Sequence, residues 1–155
     1  MQSIENYLSA HSFFSGLEDG FMKFLSNSAQ ELQIKEGNVL FQQGKPADKF
    51  YLLRRGHVSV QVPALVGPTL ELQVLGEDQM LGWSWLIPPY RWNFQARALE
   101  DSELLEFDGR AILARCEEDP KFGYELFKRF AALMSERLDS ARQKIMDQWD
   151  PPGFA

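Results

Sequence analysis

The amino-acid sequence predicts an α+β fold that is mainly β: a sandwich or roll with helices before and after it. Three observations carry this. Apolar residues recur at helical spacing over the first thirty positions and again beyond position 107, and between these stretches the period drops to two. Glycine, proline and asparagine punctuate the middle stretch about every 8 to 12 residues, the cadence of short antiparallel strands. The 155 residues, 45% hydrophobic and 13% aromatic, fit one domain over 1–155 whose core needs neither disulfides nor a structural metal.

In the helical opening, 4–30, Ile4, Leu8, Phe13 and Phe14, then Leu17, Phe21, Phe24 and Leu25, predict two or three short helices broken at Gly16 and Gly20. The roll is expected over 31–107. Val58, Val60 and Val62 alternate with Ser59 and Gln61, and Leu70, Leu72 and Val74 with Glu71 and Gln73, so each strand should turn one face inward. Turns are expected at Glu36-Gly37-Asn38, Gln43-Gly44-Lys45-Pro46, Arg55-Gly56, Pro63 to Pro68 and Gly76-Glu77-Asp78.

The closing helices are expected over 108–149. Asp108 caps a helix through about Glu117. Asp119 caps another with Pro120 at its first position, where a missing N–H costs nothing. This last helix runs to about Gln148, before Asp150-Pro151-Pro152-Gly153 stops it. It carries a stripe of Phe127, Phe130, Met134, Leu138, Ala141 and Ile145. A helix of about 28 residues is about 40 Å long, longer than a small roll is wide. Its distal half should therefore need a partner, and a second copy of the chain is the simplest. The expected dimer residues are Phe130, Met134, Leu138, Ala141 and Ile145.

Composition narrows function. Sixteen Lys and Arg against 22 Asp and Glu give a net charge of -6 with no basic tract, so no direct nucleic-acid binding is expected. One cysteine, Cys116, excludes an intramolecular disulfide and points to a reducing, cytoplasmic setting. The amino end lacks the pattern of a secretory signal, and no run approaches the roughly 18 apolar residues of a membrane span. The two histidines, His11 and His57, lie in separate elements, too few and too dispersed for a metal enzyme built on a roll. His57 reads as a partly exposed turn residue and Cys116 as a small, buried hydrophobe. With no phosphate-cradling loop, nucleophile elbow or Cys-x-x-Cys pair, no enzyme, catalytic residue or metal site is expected.

The string from Gly37 to Val58, with Gly37, Gly44 and Gly56 between apolar strands, resembles the opening half of a cyclic nucleotide-binding domain of the catabolite activator protein (CRP/FNR-like) type. Phe13-Phe14-Ser15-Gly16-Leu17 and the closing helix pair extend the resemblance over nearly the whole chain. It implies a double-stranded β-helix, jelly-roll-like, with N-terminal helices and a long C-terminal dimerisation helix. In that family the ligand sits inside the roll on a phosphate-binding cassette running from Gly-Glu through a short helix to Arg-Ser/Thr-Ala. The matching segment is Leu81 to Ala98. Gly82 matches, but Trp83 stands at the ribose-binding glutamate, Trp92 at the phosphate arginine and Asn93 at its hydroxyl neighbour. The family's base contact from the closing helix falls on Ala141 and Arg142.

The ligand-binding positions implied are therefore Gly82, Trp83, Ser84, Trp85, Arg91, Trp92 and Asn93, without cyclic AMP binding in the usual way. Arg91 is adjacent to the expected arginine in a cassette one residue short, after Pro88-Pro89, and is a candidate to reach inward. The N–H groups at the start of the Trp83–Leu86 helix are candidate anion donors. Three readings stay open: a phosphate-like or carboxylate ligand, a pocket filled by Trp83, Trp85 and Trp92, or an apolar or aromatic ligand stacked on those rings. No cofactor is implied beyond such a small ligand. The chain is expected to be a stand-alone, non-enzymatic, ligand-sensing regulator, homodimeric and signalling through an effector protein. The alternative is a protein-interaction module with a self-filled pocket.

Overall fold

The structure, a computed structural model, describes residues 3–63 and 66–148. Two short helices, α1 (Ile4–Ala10) and α2 (Asp19–Asn27), precede eight strands. These are β1 (Ala29–Ile34), β2 (Val39–Phe41), β3 (Lys49–Arg55), β4 (Val58–Val62), β5 (Leu70–Leu75), β6 (Met80–Leu81), β7 (Gln95–Ala98) and β8 (Ser102–Asp108). One 3-10 turn, Ser84–Leu86, interrupts them, and α3 (Gly109–Glu118) and α4 (Pro120–Gln148) follow. The strands form two antiparallel four-stranded sheets, ordered β1-β8-β3-β6 and β2-β7-β4-β5. This is the expected jelly-roll-like α+β architecture.

The central pair of the first sheet explains why β3 is buried almost end to end. Its register sets Phe50 opposite Phe107, Leu52 opposite Leu105 and Leu53 opposite Leu104. Successive side chains point to opposite faces, and here both faces are covered. Phe50, Leu52, Leu105 and Phe107 pack with Leu8, Phe14, Phe122, Leu126 and Phe130 of the helical layer. Tyr51, Leu53 and Leu104 face Phe41, Val58 and Val60 inside the roll. Gly56, φ 102°, allows the turn after β3 to lie against β8: a Cβ there would stand 2.9 Å from Ser102 Cα.

Several boundaries differ from expectation for identifiable reasons. Gly16 does end a turn, with φ 87°, but Gly20 lies inside α2. Burial of Phe21, Met22 and Leu25 outweighs the roughly 1 kcal/mol that a helical glycine costs. β1 begins at Ala29, opposite Phe107, because Asp108 N–H donates to Ser28 O at 2.9 Å and extends the ladder.

The largest departure is in β5. Val60 faces Gln73 while Gln61 faces Glu71, leaving Leu72 as an extra residue. This bulge breaks the alternation that the sequence suggests. Leu75, opposite Val58, is buried, whereas Leu70 and Val74 are exposed.

The closing helices begin where their caps require. Asp108 Oδ1 accepts from Ala111 N–H at 3.1 Å, and Asp119 Oδ1 from Phe122 N–H at 3.3 Å. α4 is 29 residues long; the Asp150-Pro151-Pro152-Gly153 stop lies outside the described residues. Its proximal core face is Phe122, Leu126 and Phe130, with Phe127 exposed. Phe130 is therefore removed from the expected dimer set. It is 1% exposed and packs edge-on against Phe13, Phe50 and Trp85 at 4.9, 5.2 and 5.3 Å.

Candidate functional site

The distal half of α4 lies across the mouth of the roll and borders a half-open cavity of about 730 Å³, within the range typical of small-molecule sites. Its floor is the roll: Phe41 of β2, Val60 of β4, the bulged Leu72 and Gln73 of β5, and Leu81 with Gly82 and Trp83 after β6, closed by Phe94. Its roof is α4, which contributes Met134, Leu138 and Ala141 from the stripe, Ser135 and Ser140, and the cations Arg137 and Lys144. The bulge has a direct consequence here, since it turns two consecutive β5 residues toward the same space.

The three cassette tryptophans go to three different places. Trp92, 5% exposed, is stacked on Phe41 with ring centres 3.7 Å apart. It also presses on Gly82, where a Cβ would stand 2.9 Å from its ring; with φ 99° besides, that position suits glycine alone. The indole thus occupies the cassette where the resemblance calls for an arginine. Trp83 lines the cavity and meets Phe94 edge-on at 5.9 Å. Trp85 is in the other core, stacked on Phe50 at 4.9 Å, so it does not fill the roll.

The polar candidates lie elsewhere. Arg91 is exposed, donates from Nη1 to Gly44 O at 2.9 Å and does not line the cavity. The short loop before it keeps this guanidinium on the outer surface. Asn93 is exposed and also outside the lining. The expected short helix is a single 3-10 turn whose first N–H bonds run from Leu86 to Trp83 O and from Ile87 to Ser84 O. Ser84, the first residue of that turn, is buried, and its hydroxyl has no partner among the described residues. Of the two closing-helix positions, Ala141 lines the cavity, while Arg142 pairs with Asp139 at 3.2 Å.

Sequence reasoning missed Arg137 and Lys144. They are seven residues apart, two helical turns, on a face that otherwise reads as apolar. Arg137 donates from Nη2 to Met80 O, and Lys144 Nζ donates to Glu71 O at 2.9 Å and Leu72 O at 3.4 Å. These bonds fasten the distal helix to β5 and β6. Burial lowers the Arg137 pKa from its ordinary value.

His57 is a half-exposed turn residue whose Nδ1 lies 2.8 Å from Glu100 Oε1. Cys116 is 7% exposed, and burial, with Glu117 and Asp119 nearby, pushes its thiol up to about 11. Among the described residues no group of His, Cys, Asp and Glu is placed to hold a metal, and no helix is long and apolar enough to cross a membrane.

Comparison with known proteins bears on this geometry. The sequence model of the cyclic nucleotide-binding domain matches residues 31–119, more than half of the chain. A CRP-like cAMP-activated global transcriptional regulator of Mycobacterium tuberculosis is 20% identical over 144 residues, 93% of this chain and 62% of the relative's length. The chain thus spans about three fifths of that curated relative. Among solved structures, a candidate cyclic nucleotide-binding protein from Geobacter metallireducens is 26% identical with a TM-score of 0.79, covering 89% of this chain and 99% of its own. The catabolite activator protein of Thermus thermophilus is 27% identical with a TM-score of 0.68, covering 86% of this chain and 61% of its own.

Proposed function

The chain belongs to the cyclic nucleotide-binding domain family, and from that premise we propose that it is a non-enzymatic, ligand-sensing regulatory domain acting in the cytoplasm. The carrying observation is the cavity between roll and α4, because its lining joins the cassette, through Gly82 and Trp83, to the distal helix, through Met134, Leu138 and Ala141. A ligand there touches both elements at once. If its contacts differ between two placements of α4, binding biases the helix toward one of them. Cyclic AMP in the usual cassette pose is disfavoured: Trp92 fills the arginine position, Trp83 cannot accept from a ribose hydroxyl, and Arg91 is bonded to Gly44 outside.

The output is a helix surface. Tyr124, Phe127, Ala131, Met134, Leu138, Ala141 and Ile145 follow the 3-4 alternation of a two-helix seam. Leu138 and Ile145 are 70% and 65% exposed. In this reading two copies pair along that line, replacing the Phe130 face, and the dimer passes the signal to another protein. The second reading, a protein-interaction module with a self-filled pocket, is favoured by Trp92 on Phe41 but not by the open volume beside it.

A thermal-shift screen of cyclic nucleotides, small anions and aromatic metabolites tests the first reading. A ligand at 100 times its dissociation constant adds about 2.7 kcal/mol of stability, and no shift with any compound favours the self-filled module. In sedimentation, Ile145→Asp is expected to give monomers.

A further inference from the structure

The cavity has an unusual charge balance. Its body is apolar and aromatic, Phe41, Trp83 and Phe94 among others, and among the described residues no carboxylate belongs to the lining, yet two cations do. Both come from α4, and among the described residues neither has a carboxylate within 4.0 Å. Arg137 spends one nitrogen on Met80 O, and among the described residues its other donors have no hydrogen-bond partner. Lys144 is exposed at the cavity edge, whereas Arg137 is partly buried, bonded to a carbonyl and compensated by Glu136 only through space. Such a cation is incompletely compensated, and an anion inside the cavity completes it.

Resting on the ligand-sensing reading above, we infer that the cavity takes an amphipathic anion: an aromatic body packed on Phe41, Trp83 and Phe94, and one anionic head held by Arg137 and Lys144. The head lies on the helix side, opposite the cassette whose arginine position Trp92 has closed. Burial disfavours the Arg137 charge and the Glu136 carboxylate offsets this only in part, so a bound anion adds to a compensation that is incomplete in the free protein. The same two side chains fasten α4 to the carbonyls of β5 and β6. An anionic head competes with those carbonyls for donors, which couples occupancy to the helix directly.

Two fluorescent probes separate body from head. 1-Anilinonaphthalene-8-sulfonate and N-phenyl-1-naphthylamine share an aromatic body, and only the first carries an anion. The sulfonate is expected to bind at least about tenfold more tightly, the effect of one charge-assisted contact. Arg137→Gln and Lys144→Gln should each remove about tenfold of that affinity while leaving the neutral probe unchanged. Lys144→Gln serves if the more buried Arg137→Gln unfolds the domain, as circular dichroism would reveal. Equal binding of the two probes, or sulfonate binding unaffected by Lys144→Gln, overturns the inference and leaves the sensor reading standing. Cyclic AMP bound equally well by wild type and Lys144→Gln does the same. Failure of both probes and cyclic AMP to bind at millimolar concentration overturns the sensor reading and this inference together.

Discussion

The two halves of α4 have similar apolar patterning and opposite fates. From Phe122 to Phe130 the helix is sealed against α2, β3 and the 3-10 turn, and its aromatic rings interlock with Phe21, Phe50 and Trp85. From Met134 onward it roofs a cavity and turns Leu138 and Ile145 to solvent. What differs is the surface beneath. The proximal half meets a sheet face of Phe and Leu, while the distal half meets the rim of the roll, where backbone carbonyls are offered and Arg137 and Lys144 accept the role of fasteners. An apolar stripe thus does not by itself say whether a face is covered, or by what.

The contrast can be broken by substitution. Phe130→Ala should cost about 3–5 kcal/mol, as large-to-small changes in sealed cores do, with a large fall in the urea midpoint. Leu138→Ala, if the halves differ as described, stays within about 0.5 kcal/mol in the monomer. Equal losses for the two would erase the distinction. Gly82→Ala should cost about 1–3 kcal/mol, because a strained φ and a contact with the Trp92 ring act together. Pairing it with Trp92→Ala should relieve the contact and leave the strain. Asp119→Ala, which removes the cap of the sealed half, should cost about 1 kcal/mol by the same denaturation measurement.

Cys116 sharpens the comparison by pH. It lies where α3 meets the proximal half of α4: a Cβ on Gly123 would stand 3.2 Å from Cys116 Cβ. The folded thiol titrates at about 11 against an ordinary value of 9.0, so the folded state holds its proton longer than the unfolded one. This contribution is fully present below pH 9 and is lost as pH rises through about 11. Stability should decline across that window, and Cys116→Ala should flatten the decline. Thiol labelling of the folded protein at pH 8 should be correspondingly slow.

Local signals were the legible ones. The caps at Asp108 and Asp119 bond three residues ahead, and the glycines at 37, 44 and 56 all take positive φ, so neighbouring residues suffice to specify them. In β4, Val58 and Val60 do face the roll interior, but Ser59 between them is buried as well, its hydroxyl donating to Glu71, so the alternation tells facing and not exposure. β5 was misread because a bulge is decided by pairing with β4, not by its own sequence. The three tryptophans part company because the turn after Gly82 buries Trp85 in the helical-side core, leaves Trp83 on the cavity wall against that same core, and returns Trp92 to the roll interior. Arg137 and Lys144 were invisible as site residues, since only the placement of α4 over the roll makes two helix cations into cavity walls.

The double-sided burial of β3 bears on how the molecule comes apart. One strand supplies consecutive side chains alternately to the helical layer and to the roll interior, so neither compartment can open without drawing the shared pleat out of the other. The two should therefore melt in a single transition, with β3 amides and the first turns of α4 exchanging hydrogen at one common, slowest rate. Small rearrangements of the distal helix can then proceed above a body that behaves as one solid piece.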